Sequence, residues 1–206
     1  MTATRTRLLL VPLLLASLSA GCSILGPAPA PNRFYSLAPL PAQPGVTADN
    51  PGDATYALGP ITLPAYLDRQ ALVTRLGPTQ LRYSEVDYWA GPLTDSISAV
   101  LLQDLMALTG NNRILAYPWA NNAKFDYQIA VQLLQFEQSA SGECVLSARW
   151  TISDGRTRQV LVVRDSQFAR AASATDTAAA VAALSATLGD LSKEIATALR
   201  GLPKPA

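Results

Sequence analysis

The chain of 206 residues contains no histidine. Histidine is the commonest general base, the commonest zinc ligand and the hub of most nucleophilic triads, so its absence weighs against hydrolase chemistry. Cysteine is scarce: Cys22 and Cys144 are the only two. No clustering of Cys, Asp and Glu has metal-ligand spacing, which leaves no metal site and no cofactor to expect. Phosphate-binding glycine loops and the GxSxG elbow are missing as well, so no catalytic residue is assigned and the chain is read as a non-enzyme. Positive charge is not in excess, with 16 Lys and Arg against 15 Asp and Glu. Without Arg5 and Arg7 the basic count falls to 14, a net of −1, with no basic stripe to follow a phosphate backbone. Nucleic acid is therefore not the expected partner.

Long apolar runs are also lacking. The longest, LLLVPLLLASL over residues 8–18, falls well short of the roughly 20 residues that span a bilayer. It follows a short basic start with Arg5 and Arg7 and precedes Ser19, Ala20, Gly21 and Cys22. A basic start, an apolar middle and a small-residue end describe an export signal. The cysteine directly after Ala-Gly makes it the lipoprotein variety. Cleavage is expected after residue 21, leaving Cys22 with a diacylglyceryl group on its sulfur and a further acyl chain, such as palmitate, on its amino group. Two or more acyl chains make membrane attachment effectively permanent. Ser23, in place of the aspartate that retains such proteins at the inner membrane, favours the periplasmic face of the outer membrane. Residues 22–32 then form a tether. Its stretch SILGPAPAP (23–31) has three prolines, and nine extended residues reach about 28 Å. Residues 33–206 form one domain.

Within that domain RFYSL (33–37) reads as a strand, and residues 39–53, rich in proline, as a loop. Residues 56–64 read as a strand broken at Gly59-Pro60, and residues 71–77 and 80–86 as a hairpin about Pro78-Thr79. A helix capped by Thr94 or Asp95 carries Ile97, Val100, Leu101, Leu105 and Leu108 on one face and ends at Gly110. Residues 113–119 give a further short strand. Residues 127–133 alternate cleanly, and the phase slips at Leu133-Leu134, which suggests a bulge or an exposed apolar edge. Cys144 to Ile152 alternate again, Cys144 reading as a small buried hydrophobe. Asp154-Gly155 signals a tight turn through positive φ angles, and residues 159–168 return to complete a three-stranded meander. Residues 175–200 form a long helix begun by Asp176. Val181, Leu184, Leu188, Leu191, Ile195 and Leu199 line one face, and its first half is mostly alanine. The expected fold is α+β, a mostly antiparallel sheet with two helices packed on one face.

One stretch is distinctive. LPAYLDR (63–69), then a hairpin, then Tyr88-Trp89 with Pro92 before a helix, together with RFYSL and Cys22, resembles the auxiliary lipoproteins of ABC-type transport, the paraquat-inducible protein C-like family. The resemblance implies an outer-membrane lipoprotein. Its implied partners are a periplasmic mammalian-cell-entry (MCE) domain protein and an inner-membrane ABC or related transporter, moving lipid between envelope membranes. It places Cys22 at the lipidation position and Tyr66, Leu67, Asp68, Arg69, Tyr88 and Trp89 at partner-contact positions. A histidine-free neutral domain on a short leash is independently suited to bind or dock rather than react. Two rivals stand beside docking: a periplasmic lipid carrier with its own apolar cavity, and a structural or assembly subunit of an outer-membrane complex. The alanine-rich helix face and the slip at Leu133-Leu134 would also suit a homo-oligomer.

Overall fold

The computed structural model describes residues 30–41 and 54–203. The signal segment, Cys22, the tether up to residue 29 and residues 42–53 of the predicted loop lie outside the described residues. The chain divides into a unit ending at Pro31 and a second running from Asn32. In the first, Ala30 and Pro31 are described and exposed. Everything below concerns the second.

The strands are β1 (Arg33–Tyr35), β2 (Tyr56–Thr62), β3 (Ala71–Arg75), β4 (Leu81–Trp89), β5 (Ile114–Ala116), β6 (Tyr127–Ser139), β7 (Glu143–Asp154) and β8 (Val160–Ala171). The helices are α1 (Leu93–Thr109) and α2 (Thr177–Arg200). All strands join one sheet of eight. The meander β6-β7-β8 is antiparallel throughout, as the alternation from Tyr127 to Ile152 and the return strand require. The rest corrects the expectation of a mostly antiparallel sheet. β1 runs parallel to β4, β2 parallel to both β5 and β6, and β3 parallel to β6, so the sheet is mixed. Only β3-β4 adds a further antiparallel hairpin.

The reason lies in β6, the longest strand. One of its edges is filled by β7 along almost its whole length. The opposite edge is shared: β2 pairs from Tyr127 to Gln132, and β3 resumes only at Gln138 and Ser139. β2 and β3 thus behave as one strand that leaves β6 and returns, and the segment between them is the LPAYLDR loop. Opposite the break, Leu133 pairs with Ala148 and Gln135 with Ser147, so Leu134 is the extra residue of a bulge. It is 47% exposed, which accounts for the phase slip in the sequence.

Both helices pack on one face of the sheet, α2 over β7 and β8 and α1 over β2 and β5. Ile97, Val100, Leu101 and Leu105 of α1 and Leu184, Leu188, Leu191 and Ile195 of α2 are buried against Ile129, Val131, Leu146, Trp150 and Ile152. Each such side chain contributes about 1.5–3 kcal/mol by leaving water. Trp150 is fully buried and satisfies its indole N–H on Ser166 Oγ at 2.9 Å. Cys144 is buried and free, and burial pushes its thiol up to about 11.

Two sequence expectations about helix and turn chemistry shift. α1 starts two residues earlier than a Thr94 cap allows and three earlier than an Asp95 cap: Pro92 is its N-cap, its carbonyl accepting from Ser96 N–H at 3.1 Å. Asp95 sits instead in the first turn, where its charge favours the helix start. At the β7-β8 turn the positive φ belongs to Arg158, at 63°, and not to Gly155. Gly155 is required for space, since a Cβ there would lie 2.0 Å from the Phe125 carbonyl oxygen. α2 begins as expected, with Asp176 accepting from Ala179 N–H at 3.1 Å.

The small-residue face of α2 has an internal partner. The segment after β1 crosses it: Ala38 N–H donates to Ser185 Oγ at 3.1 Å, and Leu40 N–H to Asp104 Oδ1 of α1 at 2.8 Å. Leu40 also packs on Gly189, where a Cβ would meet its Cδ2 at 2.5 Å. Part of the small-residue face of α2, which suggested self-association, is thus covered within the chain, while Leu134 at the bulge stays exposed.

Candidate functional site

The LPAYLDR loop spans the gap between β2 and β3. Along that gap the outer edge of β6 has no ladder partner, and the loop supplies one. Tyr66 Oη donates to Glu137 Oε2 at 2.9 Å and reaches the Leu134 carbonyl at 3.4 Å. Glu137 Oε2 in turn accepts the Phe136 N–H at 2.9 Å. Arg75, at the end of β3, completes the cluster with Nε 2.6 Å from Glu137 Oε1 and its guanidinium 5.7 Å from the Tyr66 ring centre. Glu137 is 1% exposed, a carboxylate that needs such partners to stay buried. Burial, followed by the charge of Glu137, pushes the Tyr66 hydroxyl up to about 12.

Beside Tyr66, Leu67 belongs to the core and is 3% exposed. The backbone turns there, Leu67 N–H donating to Pro64 O at 2.9 Å and Arg69 N–H to Leu67 O at 2.8 Å. Asp68 and Arg69 are left at the exposed tip. No ion pair joins them among the described residues; the Arg69 guanidinium lies 5.2 Å over the Tyr83 ring instead.

Tyr88 and Trp89 close β4. Trp89 is 4% exposed and part of the core, its N–H held by Gln70 O at 2.7 Å, so it offers no exposed anchor. Tyr88 faces the other way, half-buried, with its hydroxyl on Glu85 O at 2.7 Å and its ring 5.9 Å from Phe34. The structure therefore brings Tyr66 to Arg69 together with the end of β4, but divides them by role. Tyr66, Leu67 and Trp89 build the frame, while Asp68, Arg69 and Tyr88 are presented to solvent. Sequence reasoning missed Arg75, Glu137 and the exposed rings of Phe34 and Tyr83. A glutamate on the strand that also carries Leu133 and Phe136 was the available signal for the first pair.

The same sheet region is pinned to α2 by a second buried carboxylate. Asp87 receives Arg33 Nε at 2.7 Å and Nη2 at 2.9 Å, and the Thr177 hydroxyl at 3.0 Å. Burial raises the Asp87 pKa, but the bonds from Arg33 and Thr177 outweigh it and hold the carboxyl below its ordinary value. β1, β4 and the start of α2 meet on this one side chain.

Two concave spaces lie among the described residues. A groove of about 230 Å³ on the helix-free face is lined by Pro60, Thr62, Ala130, Gln132, Arg149 and Thr151. Another of about 100 Å³ lies between β3, β4 and α2, against Leu72, Arg82, Trp89 and Leu184. Among the described residues no group of His, Cys, Asp or Glu is arranged to hold a metal ion, and no helix is long and apolar enough to cross a membrane.

Comparison with known proteins matches this arrangement to others. The crystal structure of an uncharacterized protein superposes with a TM-score of 0.68 at 16% identity, covering 82% of this chain and 99% of that one. Protein XCC0632 from Xanthomonas campestris gives a TM-score of 0.63 at 21% identity, covering 82% of this chain and 96% of its own. At these identities the likeness is one of fold. No curated protein matches the sequence. The family model for the ABC-type transport auxiliary lipoprotein component matches residues 35–196, a span running from the end of β1 almost to the end of α2 and including the whole LPAYLDR loop. On that match the chain belongs to the family of ABC-type transport auxiliary lipoprotein components.

Proposed function

We propose that the protein is a non-enzymatic docking subunit, lipid-anchored through Cys22 at the periplasmic face of the outer membrane. It receives the periplasmic MCE-domain protein of an intermembrane lipid transport system whose energy comes from an inner-membrane ABC or related transporter. The observation that carries this reading is the construction of the LPAYLDR loop. Tyr66 and Leu67 fix it to the sheet from both sides, so Asp68 and Arg69 are held at the tip of a rigid frame. Preorganised charged and aromatic groups of this kind concentrate interface energy, because little side-chain freedom is lost on binding.

The sizes of the two concave spaces described favour docking over carriage. Pockets that enclose a small ligand measure about 300–1,000 Å³, and the two spaces here are near 230 and 100 Å³. The α+β core is filled by side chains from both helices and the sheet.

Affinity capture from detergent-solubilised envelopes tests the reading. The full lipidated chain is expected to retain the MCE-domain protein, and an Asp68→Ala/Arg69→Ala variant to lose most of it while keeping its unfolding midpoint. Equal capture by both would remove the tip from the interface. Capture of no MCE-domain protein by the wild type would overturn the docking role.

A further inference from the structure

The most exposed large apolar side chain of the described residues sits where the tether ends. Phe34 is 63% exposed and is the middle residue of β1, one position beyond Arg33. Its neighbours turn toward the helices: Arg33 reaches Asp87, which also accepts the Thr177 hydroxyl of α2, and Tyr35 packs against the core. Strand alternation therefore sends Phe34 to the helix-free face, where its ring meets Tyr88 at 5.9 Å. Tyr83 shares that face. A register shift in β4 separates the Tyr83–Val73 pair from the Tyr88–Ala71 pair, and because Ala71 and Val73 are two apart on β3 both pairs keep to one face. Arg69 lies over the Tyr83 ring.

We propose that this face of β1 and β4 seats on the bilayer, with Phe34 entering the headgroup region. The inference rests on the reading that Cys22 is lipidated and goes beyond it, since an acyl anchor by itself leaves the domain free to rotate. The occupant follows from the tether. The ten residues between Cys22 and β1 reach about 31 Å when extended, and the chain then enters the fold at β1, beside Phe34. The opposite edge, β8, is five strand steps away, about 24 Å across the sheet. Aromatic rings gather at the headgroup level, and an arginine stacked on one can keep its charge in water. Asp68 and Glu85 accompany Arg69 on this part of the chain, so the patch carries little net charge. Seating then depends on ring burial and not on anionic lipid. It would bring the Asp68-Arg69 tip to the membrane surface, where a cargo has to cross.

Site-directed spin labelling tests this on the full lipidated protein in phosphatidylcholine vesicles. A nitroxide is attached through Phe34→Cys or, as the comparison, through Val163→Cys on the exposed β8 edge; buried Cys144 leaves the new thiol as the reactive one. The label at 34 is expected to be several-fold less accessible to a water-soluble nickel chelate than the label at 163, and more accessible to oxygen. Neither added anionic lipid nor high salt should change this. Equal accessibility at both positions in protein that floats with the vesicles overturns the seating and leaves the anchor intact. Protection at 34 in Cys22→Ser protein without vesicles overturns it in favour of a second copy. Wild-type protein that fails to float removes the anchor reading and the seating together.

Discussion

The Tyr66 hydroxyl lies 2.9 Å from the Glu137 carboxylate across a place where the sheet has no strand. β2 has left β6 and β3 has not yet joined it, so side chains take over the role of a ladder. The loop that carries Tyr66 is in this sense a part of the sheet, and its tip inherits the sheet's rigidity.

Tyr66→Phe removes the bond and leaves Glu137 with one fewer donor. The expected loss is about 1.5–3 kcal/mol, the range for a hydrogen bond to a charged group, read by urea unfolding. The wild type should also show one tyrosine titrating near pH 12 in ultraviolet absorbance. Because the folded state holds that proton more tightly than the unfolded chain does, this stabilisation is present below pH 10 and lost between about 10 and 12.

Asp104 behaves in the opposite sense to an ordinary surface carboxylate. It is buried between α1 and α2, and burial raises its pKa despite the bonds from Leu40 N–H and the Ser192 hydroxyl. The charged form therefore weakens the fold at neutral pH, and the weakening is relieved as pH falls through the raised value. Asparagine can accept from Leu40 and donate to Ser192 Oγ, whose own proton can go to Leu188 O. Asp104→Asn is expected to be neutral or stabilising at pH 7 and to flatten stability in mild acid. Asp104→Ala should cost about 1–3 kcal/mol by stranding the Leu40 amide.

The Arg33-Asp87-Thr177 junction has the reverse pH dependence. With the Asp87 carboxyl held below its ordinary value, its stabilisation is full above about pH 4 and disappears as pH falls further. Asp87→Asn should lower stability at neutral pH and reduce the steepness of acid unfolding. An unchanged acid transition would show that Arg33 contributes nothing to holding β1.

Gly155→Ala tests the turn geometry. Its Cβ would meet the Phe125 carbonyl at 2.0 Å, so the backbone has to move, at a cost of about 1–3 kcal/mol. Gly77→Ala, where a Cβ meets nothing within 4 Å, is the comparison and should be nearly silent.

Local pattern carried much of the architecture. The alternation in β6 and β7, the spacing in both helices, the Asp176 cap and even the bulge at Leu134 are written in neighbouring residues. Strand direction was not. β2, β3 and β6 are separated by long stretches of chain, and their parallel pairing depends on where the helices and the meander lie. The candidate site divides in the same way. LPAYLDR stands out as a motif, but that its tyrosine is a strut and its Asp-Arg pair a tip depends on Glu137, a residue 71 positions away. Trp89 reads equally as anchor or core until its strand partners are known. The Asp-Gly turn misled because the residue that takes up the strained φ, Arg158, follows three positions later.

The central claim is that this domain works as a fixture tied to an envelope membrane. Metabolic labelling with palmitate, followed by separation of inner and outer membranes, tests it most directly. Wild-type protein is expected to carry label and to band with the outer membrane, and Cys22→Ser protein to carry none. An unlabelled wild-type product, or one recovered in the soluble periplasmic fraction, would contradict the account.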